Sequence, residues 1–551
     1  MYTVVGGTYK AFNATNVSGN GWNSDTVNYV LGDSSGEIRN GGSFRNRTTA
    51  LGDIIDSQPI YVGAPNPNLF SGATFTGSSD YSTFATGTAV ATRAPVVYVA
   101  ANDGMIHGFD ASTGVEVYAF MPGAVAGAAK NPSILSQANY GSGVNPHQDF
   151  NDGELTVADA YFNAGWHTVL VGTTGRGLAR SIYALDVTDP SNVKFLWEYT
   201  GAQNSNIGQI LGKPVIAQTK NGWVVLVGNG YNSASGTASM LSIPLGGSST
   251  SITVYSTNTS TDNGLGTPGV WIDSPADDIA TVAYAGDLKG NLWSFNLGSS
   301  KKSGSVVFTT QSSQPITAPI ALGKDSSTGH LWAFFGTGQY LSTNDLSSKA
   351  TQSWYGIIAD GNQAVKLSDL VQRTVAVETA GTPADPTANP PTTAVEPARA
   401  ISSGSSGDMS GKSGWYLNLL PPSGTQEGER MLVSNQFAGG YLVGATLIPD
   451  TSDPCAPGGR GWVMAVNPFT GTGPSDVFFD LNHDASFDNT DRVDSGGSLV
   501  AAAGIGFTSL KGMPSFAGAL MLNNLNGVIS TTLVNPAGGK GGRVSWREIV
   551  H

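Results

Sequence analysis

The sequence predicts an all-β fold, a β-propeller of about seven modified blades with loop insertions. Three observations lead there. The 551 residues include 73 Gly and only 12% charged residues, with β-branched and aromatic runs between turn residues, the profile of many short strands and few helices. A unit of apolar pair, small residue, apolar residue and then Asp or Asn recurs in Ile106-His107-Gly108-Phe109-Asp110, Ile182-Tyr183-Ala184-Leu185-Asp186, Leu292-Trp293-Ser294-Phe295-Asn296 and Val463-Met464-Ala465-Val466-Asn467. Pro stands near the start of predicted strands at Pro59, Pro214 and Pro319, where its missing N–H does least harm to a ladder.

Residues 1–50 are rich in Asn and Gly and read as a lead-in segment packing on the propeller, which takes up 51–551. Apolar runs precede three of the repeat units, at Val96-Val97-Tyr98-Val99, Thr168-Val169-Leu170-Val171 and Thr281-Val282-Ala283-Tyr284. Two further runs begin at Trp223 and Leu331, and two repeat units end in Thr-Gly turns at Thr113-Gly114 and Thr470-Gly471. Each unit is therefore an antiparallel meander whose open face must be covered by the next. Blades of about 40 to 50 residues leave a surplus of chain, which must lie in insertions. One is expected at 379–412, a Pro/Gly/Ser-rich stretch with few large apolar residues that reads as a surface loop.

A net charge of −13 argues against nucleic acid or an anionic membrane as the main partner, since both demand basic patches. No run approaches the roughly 20 apolar residues of a membrane span. The single cysteine, Cys455, excludes an intrachain disulfide and a cysteine-based zinc cluster. Met1-Tyr2-Thr3-Val4-Val5 reads as the start of an excised fragment rather than an export signal.

The stretch from Asp480 to Asp488 places oxygen-bearing side chains at alternate positions, the spacing with which a short loop wraps Ca2+. The candidate ligands are Asp480, Asn482, Asp484, a carbonyl at Ser486, and Asp488. An Asx-rich turn would use the same residue types, because Asp and Asn also cap their own backbone. The added Asp488 favours the cation, since acids this crowded repel one another unless a positive charge sits among them. The flanks, Val477-Phe478-Phe479 and Gly496-Gly497, predict strand and turn instead of the two helices of an EF-hand. Asp491, three residues beyond, reads as an outer partner of the ligands at most.

Other constellations carry less. The six histidines show no metal-ligand spacing, and His107 and His167 read as structural. A second acidic run, Asp149-Phe150-Asn151-Asp152-Gly153-Glu154, lacks the alternate spacing and reads as a turn before a strand. No nucleophile elbow or phosphate-binding loop occurs, and Asp277-Asp278 lacks the partner spacing of a glycosidase. The Asp110 to Thr113-Gly114 pattern also belongs to propellers that hold pyrroloquinoline quinone, the main catalytic alternative. Many of those pair adjacent cysteines beside the cofactor, which one cysteine cannot do.

Several segments together resemble the C-terminal propeller of the PilC/PilY family, tip-associated proteins of type IV pili. They are Val27-Asn28-Tyr29 with Phe44-Arg45 and Arg47, then Leu51-Gly52-Asp53-Ile54 with Ser57 and Pro59, Asn102-Asp103-Gly104-Met105 with His107, Trp166 to Gly172, Tyr183 to Pro190, and Gly542 to Glu548. The resemblance implies a non-enzymatic calcium loop at Asp480, Asn482, Asp484, Ser486 and Asp488, whose occupancy is linked to pilus extension versus retraction and hence to twitching motility. It implies minor pilins at the tip as partners, with adhesion to host or abiotic surfaces. The expected location is the outer surface of a bacterium, at the pilus tip and associated with the outer membrane, after export through the periplasm. An adhesin or lectin propeller whose calcium is purely structural is the other binding-module reading.

Overall fold

Short runs of β-branched and aromatic residues become strands throughout the computed structural model, which describes residues 1–127, 147–246, 251–259, 261–274, 276–312, 314–385, 387–388, 394–450, 459–509, 512–525 and 528–536. Cys455 and the segment from Gly542 to Glu548 lie outside the described residues. The chain divides into two compact units, one of residues 1–283 with 295–304 and the other of 284–294 with 305–547.

In the first unit, Val96–Ala100, Ile106–Asp110 and Glu116–Met121 form the predicted meander, with Ile60–Val62 on one edge. The lead-in completes this sheet. Tyr2–Val5 pairs in parallel with Glu116–Met121, Tyr2 opposite Phe120, and folds back on Thr8–Ala11. Arg47 fixes the rest of the lead-in: its guanidinium stacks 3.6 Å over the Tyr29 ring, donates to the Tyr29 carbonyl and pairs with the buried Glu37. Ser57 then accepts the Ala100 amide through its hydroxyl.

The second sheet runs Thr156–Phe162, Gly165–Thr173, Ser181–Asp186 and Lys194–Thr200, and the third runs Val215–Thr219, Gly222–Gly228, Ser239–Pro244 and Thr253–Ser256. Both are four-stranded, as a propeller blade should be. Their facing sides share a core of Val169, Val171, Ile182, Val225, Val227 and Leu241, capped by Phe70, Trp166 and Trp223 in edge and stacked contacts. A fourth sheet is Gly269–Ile272, Ala280–Gly286, Asn291–Asn296 and Ser305–Thr309.

In the second unit, the fifth sheet is Ala321–Lys324, Leu331–Gly336, Ser353–Ile358, Gly414–Asn418 and Leu370–Arg373 in spatial order. The sixth is Val375–Thr379, Ala398–Ile401, Gly504–Phe507, Gly459–Val466, Tyr441–Ala445 and Gln436–Ala438. Two small sheets complete this unit: a hairpin of Arg492–Asp494 with Leu499–Ala501, which lies in sequence between Gly459–Val466 and Gly504–Phe507, and after them a meander of Ser515–Ala517, Leu520–Leu525 and Val528–Leu533.

The architecture is thus the expected all-β propeller, with six blade sheets where seven were expected. The remaining chain lies in the lead-in, the additional strands of sheets five and six, and the small sheets. The insertion at 379–412 also needs correction. Ala398–Ile401 inside it is a fully buried strand. Ala398 and Ala400 are small enough to fit the core, and Arg399 is held by Glu429 at 2.7 and 2.9 Å, by Glu378 at 2.9 Å and against the Trp462 ring.

The acid or amide closing each repeat unit proves to be a turn cap. Asp110 accepts the Ser112 and Thr113 amides ahead of Gly114 at φ 71°, and Asn467 accepts the Phe469 and Thr470 amides ahead of Gly471 at φ 69°. Asp186 does the same for Thr188 and also holds His167 at 2.9 Å. His107 lies between Asp103 and Glu116. Burial alone would lower its pKa, but the hydrogen bonds and charges of those two carboxylates outweigh it and raise the ring to about 9.

Candidate metal centre

The loop from Asp480 is launched from a rigid base. Phe478 and Phe479 are fully buried, the Asp480 amide donates to the Leu533 carbonyl at 3.1 Å, and the Asn535 amide donates to Phe478. The loop ends in a single 3-10 turn, Asn489–Asp491, that feeds the hairpin strand Arg492–Asp494. No helix precedes it, but the flank Val477-Phe478-Phe479, read from the sequence as strand, makes only an isolated bridge from Phe479 to Val534.

Within the loop the oxygens face inward onto the backbone. Asp480 accepts the Asp484 amide at 3.2 Å and the Ala485 amide at 3.0 Å, and the Asn482 carbonyl oxygen accepts the Asp484 amide at 3.1 Å. Asp484 accepts the Ser486 amide at 2.8 Å and the Asn482 amide group at 3.0 Å. Asp488 accepts the Thr490 amide and hydroxyl at 2.8 and 2.7 Å, which hold its carboxyl below the usual carboxylate range. Ser486 and Asp488 are exposed at the loop's outer side, whereas Asp480 is buried. His483 turns outward, as its alternate position requires, and meets Glu396 at 3.0 Å.

The loop brings Asp480, Asn482 and Asp484 together through shared hydrogen bonds and leaves Asp488 further along the wall. Among the described residues, no three His, Cys, Asp or Glu side chains stand as a ready-made metal group. The Asx-turn pattern therefore accounts for most of the loop's hydrogen bonding. Two of the acids it engages are nevertheless buried. Asp480 is 1% exposed and Asp491 is fully buried. Asp491 accepts the Leu481 amide at 2.7 Å and the Asp488 amide at 3.1 Å, closing both ends of the loop. Its carboxyl is pushed up by burial, with the charges of Asp480 and Asp484 adding to the push and the two amides opposing it.

Asp491, read from the sequence as an outer partner at most, also has a spacing that the sequence displays. Counted from Asp480 as the first position, it is the twelfth, the place from which an EF-hand loop draws its closing carboxylate. The sixth position of such loops is a glycine because the backbone turns sharply there. Here it is Ala485, held at φ 64°. His483 at φ 58° makes a second left-handed residue, so the loop keeps this shape against local backbone preference.

A family described as the PilY1 beta-propeller domain matches residues 51–310. A type IV pilus biogenesis factor PilY1 homolog of Xylella fastidiosa is 41% identical over 536 residues, a span of 95% of this chain and 41% of that protein. The type IV pilus biogenesis factor PilY1 of Pseudomonas aeruginosa strain PAK is 34% identical over 570 residues, 95% of this chain and 47% of the relative. The chain thus spans less than half the length of these relatives. The crystal structure of the P. aeruginosa PilY1 C-terminal domain superposes with a TM-score of 0.66 at 28% identity, covering 86% of this chain and 99% of that one.

Proposed function

The chain belongs to the PilY1 family of type IV pilus proteins, and on that premise we propose that it is a non-enzymatic, calcium-binding propeller acting in pilus biogenesis at the bacterial surface. The observation that carries the calcium reading is the pair of buried acids, Asp480 and Asp491, beneath a loop of alternating oxygens. Buried carboxylates without a cationic partner are costly, and a divalent ion with a preference for six to eight oxygens compensates them. Asp480, Asn482, Asp484, the Ser486 carbonyl, Asp488 and Asp491 would hold it.

The mechanism lies in the chain's own charges. Asp480, Asp484 and Asp491 repel one another across the loop, so residues 480–491 resist tightening. Compensation of those charges draws the segment onto the base formed by Phe478 and Phe479. A partner that reads the ordered loop then binds in a calcium-dependent way, and the family context points to minor pilins at the tip. In this reading calcium occupancy biases the pilus between extension and retraction and so sets twitching motility and surface adhesion. The protein reaches the pilus tip by export through the periplasm and works on the outer face of the outer membrane. The names of the relatives, pilus biogenesis factors, support a role without catalysis. The quinone alternative loses support because the Asp110 and Thr113-Gly114 pattern is occupied in capping a turn.

Calorimetric titration with calcium tests the loop: equal binding by the wild-type chain and Asp484→Ala would overturn the assignment. Piliation and twitching in cells separate a regulatory ion from a brace. A folded Asp484→Ala chain that leaves both unchanged would favour the purely structural reading.

A further inference from the structure

The second acidic run, read from the sequence as a simple turn, is buried in a way that a turn does not require. Asp152 is 1% exposed, and its Oδ1 accepts the Asp56 amide at 3.2 Å and the Asn102 side-chain amide at 3.4 Å. Asn102 also reaches Asp149 at 3.4 Å and accepts the Phe150 amide, tying the segment 147–154 to the turn of the first blade. Among the described residues, no donor reaches Asp152 Oδ2. Gly153 and Gly175 lock the position, since a Cβ on Gly175 would lie 2.6 Å from the Gly153 nitrogen and one on Gly153 would lie 2.1 Å from the Thr173 hydroxyl.

The charges around it do not balance. Asp56 is paired with Arg176 at 2.9 Å and Asp53 with His147 at 2.8 Å. Asp149 and Asp152 have no ion pair among the described residues. Glu154 stands on the same segment, with Lys213 the cation nearest to it in influence. A buried carboxylate oxygen that no donor reaches, beside two other carboxylates, is expensive as an anion. Carrying its own proton removes that charge and its repulsion from the neighbouring acids.

We propose that Asp152 is a proton-operated latch: in its neutral form it holds the segment 52–57 against 147–154 through the Asp56 amide, and in its ionised form it repels Asp56 and Asp149 and loosens that contact. The electrostatics agree in direction. Burial, then the charge of Asp56, raises the Asp152 carboxyl to about 7, with Asp149 adding and Arg176 and the Asp56 amide opposing. Burial raises Glu154 to about 7 as well, against the pull of Lys213. The segment it controls exposes Leu51, Ile54 and Ile55, with Leu178 beside Arg176, so its release alters an apolar surface.

Amide hydrogen exchange of residues 51–57, corrected for the intrinsic pH dependence, tests this on the 551-residue chain. Protection of the wild type is expected to fall as pH rises from about 4 to 7, by up to about tenfold per pH unit, and to level off above that. Asp152→Asn, which keeps the shape and stays neutral, is expected to hold full protection at both ends. Loss of protection in Asp152→Asn at every pH would overturn the proposal, because it would mean that the anion is what the fold uses. Should that variant fail to fold, Asp149→Asn decides. Removing that charge lets Asp152 ionise more easily, so protection must stop falling at a lower pH and more of it must survive at pH 8, and an unchanged profile refutes the latch. Calcium or magnesium that restores protection at pH 8 in an Asp484→Ala background would also refute it, and would identify a cation site instead.

Discussion

Two acidic loops of similar composition, 149–154 and 480–491, reach opposite electrostatic solutions. In 480–491 nearly every carboxylate oxygen meets a backbone amide within the loop, and the outer acids face solvent. In 149–154 the acids are pressed against a neighbouring turn, and Asp152 keeps one oxygen bare. The difference is one of geometry rather than composition. Alternate spacing with left-handed turns at His483 and Ala485 lets a short chain curl around its own acids. The run Asp149 to Glu154 cannot curl, because it enters the strand Thr156–Phe162 directly. A charge arranged by its own loop is available to an ion, whereas one clamped by its neighbours is left to a proton.

The largest test of that contrast is the pH dependence of stability for Asp152→Asn against wild type. A carboxyl raised to about 7 in the folded protein binds its proton more tightly than in the unfolded chain. Wild-type stability therefore falls as pH climbs from about 4 toward 7, at up to 1.4 kcal/mol per unit. Asp152→Asn should match wild type near pH 4 and exceed it by about 3 kcal/mol at pH 8 by chemical denaturation. Second comes the exposed loop: calcium at about a hundredfold over its Kd should add about 2.7 kcal/mol to the unfolding free energy, and Asp484→Ala should abolish the gain. Third, Asp491→Asn should weaken calcium binding by about tenfold, read by calorimetry, if Asp491 belongs to the shell around the ion. The smallest effect is local. Ala485→Gly removes the penalty of a left-handed alanine and should stabilise the chain by about 1 kcal/mol with calcium absent.

The strands were legible because short runs rich in β-branched and aromatic residues end at turn residues, as Val96–Ala100 and Ile106–Asp110 do. The strand Ala398–Ile401 was not, since two alanines and an arginine carry no strand signal, and only Glu429 and Glu378 make Arg399 tolerable inside. For the metal centre, alternation pointed to Asp480, Asn482, Asp484 and Asp488. It could not show that Asp491 is buried beneath them, because burial comes from Phe478, Phe479 and the meander ending at Leu533. The tension at Asp152 was invisible for the same reason, as its neighbours Asp56 and Asn102 are far away in sequence.

The interleaving of sheets five and six has a kinetic consequence. Leu370–Arg373 and Gly414–Asn418 join sheet five, while Val375–Thr379 and Ala398–Ile401, between them in sequence, belong to sheet six. Neither sheet can be completed alone, so this half of the chain folds as one cooperative piece, and long loops must close before their contacts are gained. Gly459–Val466 pairs with Gly504–Phe507 across the excursion of residues 467–503, and the acidic loop lies inside that excursion. An ion that gathers 480–491 would shorten the path between the two strands, so the metal would set the rate at which the last sheet closes as well as its final rigidity.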